Sequence, residues 1–244
     1  MNTNIDTTFD FTLDTPNYWE NFINGKSNID PDIYSPTLQT YHRKLWSKEL
    51  PTGEFFDLNS GNIEYDYLYW KNFRFGSDSI INIYWYHSQI SDVIDGVKKT
   101  MNDPEGFRKN YLHSSYTIGS SIIFPKHRLS INQCRGTNKK IRDRFDLTLE
   151  CIKRFYSEET SPLENILTND SKFFSLFGNF KNYIDFFYLQ DWVENDYKTI
   201  KFLLPFDDFE RSPYPLNKEE WFDLYEKQMD LLTKRNKRIL QDAN

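Results

Sequence analysis

Apolar residues recur at helical spacing in several long stretches and gather in short runs elsewhere. Leu38, Tyr41, Leu45 and Trp46 share one side of a segment that opens with Ser35-Pro36, an N-cap residue followed by proline at the first helical position. Pro51 and Gly53 are expected to close it. Ile141, Phe145, Leu149, Ile152 and Tyr156 mark the core face of a helix expected over 138–156. Trp221, Leu224, Tyr225, Met229 and Leu232 do the same for a helix from Lys218 to about Leu240. Residues 91–111 read as two helical pieces broken near Asp103-Pro104, and Ser161-Pro162 is expected to open a further helix. The stretch from Phe173 to Val193 is aromatic nearly all round, which predicts a buried helix or pair of helices.

The strand signals are shorter. "EFFDLNSGNIEYDYLYW" predicts a hairpin about Asn59-Ser60-Gly61-Asn62, with Ile63, Tyr65, Tyr67 and Tyr69 on one face. "SIINIYWYHS" suits a buried strand or a short helix, and "YTIGSSIIFP" a strand in which Gly119 marks a bulge or a close backbone approach. "TIKFLLPFDDF" reads as a strand closed by Pro205, and "FDFTL" as an edge strand within a loosely held 1–17. Strands and helices mix without regular βαβ alternation. The expected fold is therefore α+β: one domain over 1–244, a largely antiparallel sheet packed with several helices around an aromatic-rich core.

Composition sharpens this picture. At 244 residues the chain can bury a core without staples, and 18% aromatic residues mean that rings build much of it. No apolar run is long enough to span a bilayer, and MNTNIDTTFDF lacks the basic and apolar regions of a signal peptide. Two cysteines, Cys134 and Cys151, do not make a disulfide framework; the expected setting is the cytoplasm. His42, His87, His113 and His127 follow no metal-ligand spacing, so neither a metal nor a cofactor is expected. Net charge is −6, but residues 126–154 hold nine Lys or Arg against three Asp or Glu, a local +6 that leaves −12 for the rest.

Four stretches, "DIYSPTLQTYHRKLWSKELPTG", "YTIGSSIIFP...SINQCRG", "IRDRFDLTLECIKRFY" and "FKNYIDFFYLQDWV...IKFLLPFDDF", resemble a bacterial family of about this length, a domain of unknown function. The resemblance runs from Asp32 to about Arg238 and implies membership and a bacterial, cytosolic setting. It carries no activity, cofactor or site residue.

The residues themselves offer candidates, each with a plainer alternative. Arg135, Gly136, Lys139, Lys140, Arg142 and Arg144 surround the expected start of the 138–156 helix. Cations there oppose the helix dipole, so something negative should meet them: a phosphorylated or anionic ligand, a nucleic-acid backbone, or the chain's own carboxylates. Asn132, Gln133 and Arg135 follow a buried strand and either line a pocket or tie neighbouring loops together. Asp143, Asp146 and Glu150 cluster on the helix face away from the apolar stripe, as ligands of a divalent metal, as acid/base groups or, the plainer reading, as members of the i,i+4 pairs Lys139–Asp143, Arg142–Asp146 and Glu150–Arg154. Asp207 and Asp208 end a strand, where acid/base work competes with turn formation. Asp185, if buried, should meet Arg135, Arg142 or Arg144. His127, flanked by Lys126 and Arg128, reads as a neutral base, and Cys134 beside Arg135 as a thiol of lowered pKa or a small hydrophobe. The expectation is a protein that binds or acts on an anionic ligand at the 130–150 junction. The alternative is a protein that contacts nucleic acid or another protein, in the manner of a phage-defence or toxin-like system, without catalysis.

Overall fold

A computed structural model describes residues 4–24, 26, 29–58, 68–82, 84–85 and 87–243. Among them the chain is α+β, 49% helical and 9% strand, with two small antiparallel sheets. The helices are α1 (Tyr18–Ile23), α2 (Pro31–Tyr34), α3 (Pro36–Trp46), α4 (Ser91–Lys98), α5 (Pro104–Ser115), α6 (Ile131–Cys134), α7 (Phe145–Tyr156), α8 (Glu164–Asn169), α9 (Ser171–Phe174), α10 (Phe180–Phe186) and α11 (Lys218–Ala243). The strands are β1 (Lys48–Glu49), β2 (Phe55–Phe56), β3 (Leu68–Trp70), β4 (Phe73–Ser79) and β5 (Ser121–Pro125).

The caps explain several boundaries. Ser35 accepts the Leu38 N–H at 3.1 Å and Pro36 opens α3 as expected. Asp103 accepts the Gly106 N–H at 2.9 Å before Pro104, which separates α4 from α5. Asn217 accepts the Glu220 N–H at 2.8 Å at the head of α11, whose Trp221, Leu224 and Leu232 are buried. Pro51 and Gly53 do not end α3, which stops at Trp46; they turn a tight hairpin between β1 and β2, with Gly53 left-handed at φ 84°. Ser161-Pro162 caps nothing: α8 starts at Glu164.

The strand expectations fared less well than the helical ones. β4 pairs with β5 from Phe75↔Pro125 to Ser79↔Ser121 and with β3 on its other side, so β4 is the central strand. Residues 116–120 form a turn before β5 rather than part of the strand. Gly119 is nonetheless a place of close approach, because a Cβ there would stand 2.7 Å from Asn236 Cγ. "FDFTL" is a chain of turns, and "TIKFLLPFDDF" makes only the bridge Val193↔Ile200. Both bury apolar residues without joining a sheet: Phe11 bonds the Tyr116 carbonyl, while Leu203 and Leu204 are almost inaccessible. The described residues of "SIINIYWYHS" from Ile80 to His87 are irregular, Ser88 opens a short 3-10 turn, and Ile80, Ile81, Tyr84 and Trp85 are buried. The expected turn Asn59-Ser60-Gly61-Asn62, with Ile63, Tyr65 and Tyr67, lies outside the described residues; Tyr69 is in β3.

The core is aromatic, as composition implies. Phe56, Phe75, Phe173, Phe177, Tyr183 and Phe187 pack edge-to-face or tilted, with centroids 5.1–5.7 Å apart between successive partners. α7 departs most from its expected form. It begins at Phe145, not near residue 138, and from Phe145 to Ile152 every residue is buried. Residues 138–143 are turns instead, with Arg142 and Asp143 left-handed at φ 46° and 62°. No helix among the described residues is long and apolar enough to cross a membrane.

Candidate functional site

The "SINQCRG" stretch turns inward. α6 occupies Ile131–Cys134, and Arg135 follows it with its side chain wholly enclosed. Its Nε donates to Asp78 Oδ2 at 2.7 Å, its Nη1 to the Asp143 carbonyl at 3.0 Å and its Nη2 to the Ser79 carbonyl. Asn132 donates through Nδ2 to the Ser77 carbonyl at 3.1 Å and accepts from Lys126 and Gln133 at 2.8 Å each. Gly136 leaves room for the Asp143 carboxylate, which would stand 2.7 Å from a Cβ there. The polar residues of this loop therefore grip three consecutive residues of the central strand, Ser77-Asp78-Ser79, from behind.

Their other side carries the site. α2 sits against the end of β4, and Asp30 caps it by accepting the Asp32 N–H at 3.0 Å. Ser77 Oγ lies 2.9 Å from Asp32 Oδ1 and 2.9 Å from His42 Nε2, and the Trp46 indole nitrogen lies 2.9 Å from His42 Nδ1. The direction of this chain follows from chemistry. An indole N–H only donates, so His42 Nδ1 is an unprotonated acceptor. Burial, then the charges of Arg235 and Arg43, push the His42 proton affinity down to about 3, so the ring is neutral and its single proton is on Nε2. His42 thus donates to Ser77, and Ser77 donates to Asp32. This is no serine-nucleophile arrangement, because the imidazole gives a proton to the hydroxyl and cannot take one from it.

Asp32 is the end of the chain and lines a cavity of about 420 Å³ with Asp30, Asn82, Ser115, Tyr18 and Tyr116. Its Oδ1 is held by Ser77, while its Oδ2 has no partner among the described residues. Desolvation, followed by the charges of Asp30 and Asp78, raises its carboxyl well above the ordinary range. Asp30 stands on the rim, and its carboxyl is raised less than that of Asp32: desolvation pushes it up, and the Asp32 N–H and the Lys126 charge oppose the shift. Asp78 is raised too, first by burial, with the Arg135 guanidinium opposing the shift. The arrangement is an inner carboxyl that holds a proton and a rim carboxylate that releases one more readily, the division of labour that acid/base sites use. Among the described residues no three His, Cys, Asp or Glu are placed to hold a metal ion.

The other sequence candidates are dispersed. Asp146 is buried in a two-point pair with Arg144 and accepts the Leu203 N–H at 2.9 Å. Glu150 is buried between Lys153 at 2.6 Å and Arg154 at 2.8 Å. The expected polar face of α7 is therefore internal, and of its three i,i+4 pairs only Glu150–Arg154 forms; the other two need helix where the chain makes turns. Asp207 accepts the Glu210 and Arg211 N–H groups at 3.1 and 2.8 Å, as a turn residue does. Asp185 is about a third exposed and meets Lys181, Gln190 and Tyr197, not an arginine. His127 has a carboxylate as its nearest charge, Asp170 at 2.6 Å, and Asp170 also accepts the Ile131 N–H at 2.8 Å. Cys134 is pushed up, by burial and then by Asp170, so it is no ready thiolate. Arg142 alone of the basic group is half-buried with no side-chain hydrogen bond or ion pair among the described residues.

Reading by motif missed Asp30, Asp32, His42 and Ser77. Asp30 and Asp32 lie 12 and 10 residues before His42 and 47 and 45 before Ser77, which itself lies 53 residues before Ser130, and no spacing rule links them. The only local signal was Asp30 followed by Pro31, a helix start. A family model described as a family of unknown function (DUF6994) matches residues 5–239. No curated protein and no solved structure shows significant similarity to the chain.

Proposed function

We propose that this chain, which belongs to the family of unknown function DUF6994, binds a small ligand rich in hydroxyl or amino groups in the Asp30–Asp32 cavity and moves a proton on it. The observation that carries the reading is the directed chain Trp46→His42→Ser77→Asp32, which holds one carboxyl oxygen and leaves the other open on a cavity wall. Such a chain fixes the orientation of an acid without neutralising it. Asp32 gives the proton and Asp30 receives one. Arg135 and Asn132 act as positioning residues behind the strand. Two free thiols, Cys134 and Cys151, are in keeping with a reducing, cytoplasmic setting, and the bacterial setting rests on the resemblance of the sequence motifs alone.

The test is a thermal-shift screen of sugars, polyols, amines, nucleotides and sugar phosphates on wild type and Asp32→Asn. A ligand at a hundred times its dissociation constant adds about 2.7 kcal/mol of stability, readily seen as a rise in Tm. A hydroxylated or amino ligand that stabilises wild type and not Asp32→Asn supports the reading. Equal stabilisation of both overturns it.

A second reading keeps the anionic ligand. Arg142 is half-buried, has no side-chain hydrogen bond or ion pair among the described residues, and its charge reaches His87 and Tyr214, whose ring nitrogen and hydroxyl are 2.7 Å apart. A phosphorylated ligand that stabilises wild type and is lost in Arg142→Ala favours it. Binding of RNA or DNA that falls steeply with salt instead favours the nucleic-acid alternative.

A further inference from the structure

The walls of the Asp30–Asp32 cavity mix groups that give a hydrogen bond with groups that accept one. Asn82 lines it, with its main-chain carbonyl accepting from the Gln228 amide at 3.3 Å. The side-chain amide of Asn82 makes no hydrogen bond among the described residues, so it offers an oxygen and an NH2 group side by side. Ser115 donates to the Leu112 carbonyl at 3.1 Å and keeps its lone pairs. Asp30 uses Oδ1 for the Asp32 N–H at 3.0 Å, which leaves Oδ2 as an acceptor. Asp32 is the counterpart. Ser77 donates to its Oδ1, so the proton that desolvation keeps on this carboxyl sits on Oδ2 and is a donor.

Charge narrows the choice of ligand. Among the described residues the lining holds no lysine, arginine or histidine, and its carboxyls oppose a phosphate or a carboxylate. The charge of Lys126, outside the lining, already acts on Asp30, and Asp32 holds its proton, so no ligand cation is needed for balance. An ammonium group also lacks the lone pair that the Asp32 O–H and the Asn82 NH2 require. A hydroxyl both donates and accepts, and two adjacent hydroxyls match the paired oxygen and NH2 of an amide. The rings of Tyr18 and Tyr116, edge-to-face at 5.9 Å, add an apolar wall suited to the C–H face of a sugar ring.

We infer that the ligand of the Asp30–Asp32 cavity is a neutral sugar, held by two adjacent hydroxyls on the Asn82 amide and by further hydroxyls on Asp32, Asp30 and Ser115. The inference rests on the role proposed above for this cavity and narrows it: sugar phosphates and simple amines are poor ligands there.

The experiment is a saturation-transfer NMR titration of the full chain with glucose, galactose, xylose, N-acetylglucosamine and maltose, set against glucosamine, glucose-6-phosphate and putrescine. It is repeated on Asn82→Ala, Asn82→Asp and Asp32→Ala, each checked for native circular dichroism and a cooperative melt. The expected result is saturable transfer to at least one neutral sugar, bound more tightly than any charged probe. Its affinity should fall about tenfold in Asn82→Ala, the scale of two lost hydrogen bonds, and at least as far in Asp32→Ala. Asn82→Asp exchanges the NH2 for a second acceptor and should bind the sugar no better than Asn82→Ala. The inference is overturned if no neutral sugar saturates, if a charged probe binds more tightly than every neutral sugar, or if sugar affinity survives substitution of both Asn82 and Asp32. A charged probe whose binding is lost in Asp32→Ala removes the sugar and leaves the cavity's proposed role standing. Should no probe depend on Asp32, both fall.

Discussion

Replacing Arg135 by alanine tests whether the loop after β5 holds the strand that carries the site. The guanidinium is wholly buried and ties Asp78, the Asp143 carbonyl and the Ser79 carbonyl. Its removal leaves Asp78, whose side chain is 18% exposed, without its ion-pair partner. Breaking one side of a buried pair costs about 3–5 kcal/mol. In a chain of this length each kcal/mol moves Tm by about 2–4 °C, so a fall of roughly 6–20 °C is expected. Thermal melts and urea titrations by circular dichroism measure it, with an unchanged m-value as the sign that only stability has altered. The pH dependence gives a further check. Asp78 has a folded-state pKa above its ordinary 3.8, and losing Arg135 raises it more. A raised carboxyl contributes fully below the unfolded pKa and loses that contribution as pH rises, so the gap between variant and wild type should widen above about pH 4. Asp78→Asn removes the stranded charge, and in the Arg135→Ala background it should restore part of the loss. A Tm within about 2 °C of wild type, or a double-mutant coupling below about 0.5 kcal/mol, refutes the bracing role.

Three other outcomes are expected. His42 binds a proton at pH 6.5 when unfolded and only near 3 when folded, so its contribution is complete above pH 6.5 and is lost on acidification. The loss is about 1.4 kcal/mol per pH unit; His42→Gln should flatten that slope in urea midpoints, and an identical slope contradicts the buried neutral ring. Asp32→Asn cannot suffer the loss of stability that a raised carboxyl brings as pH rises, so its Tm should gain on wild type between about pH 4 and about pH 7; a constant difference shows that Asp32 ionises normally. Gly119→Ala sets a Cβ 2.7 Å from Asn236 Cγ and 2.9 Å from Leu232 Cδ1, and should destabilise by about 1–3 kcal/mol, read from urea midpoints. Little change there means that α11 can shift away from residue 119.

The amino-acid order by itself determined whatever depends on neighbours a few residues apart. The Ser35-Pro36 and Asp103-Pro104 starts, the amphipathic α11 and the aromatic segment around α10 are local matters of capping, φ restriction and spacing, and they stand where the pattern placed them. The α+β class and the ring-built core followed from the same signals summed over the chain. Strand pairing was another matter. β4, the central strand, reads "FRFGSDS", whose serines and aspartate are polar because Asp32, His42, Arg135 and Asn132 satisfy them from elsewhere. "TIKFLLPFDDF" looks like a strand because its apolar residues are buried, yet it has no partner edge beyond one bridge.

The charged residues divide in the same way. Arg135, Arg144, Asp146 and Glu150 are all buried, although as types they belong on surfaces, and the periodicity of α7 assigned Asp146 and Glu150 to water. Only the folded chain shows which opposite charge reaches each: Asp78 lies 57 positions from Arg135, while Arg144 takes the carboxylate two residues on. The site itself depends on such long-range pairing, since Ser77 lies 35 residues from His42 and 45 from Asp32. Sequence fixes a residue's proton affinity only in water. Burial and the company of distant charges decide it in the protein, and that is why the 130–136 stretch announced polar work while the residues it serves were visible only in three dimensions.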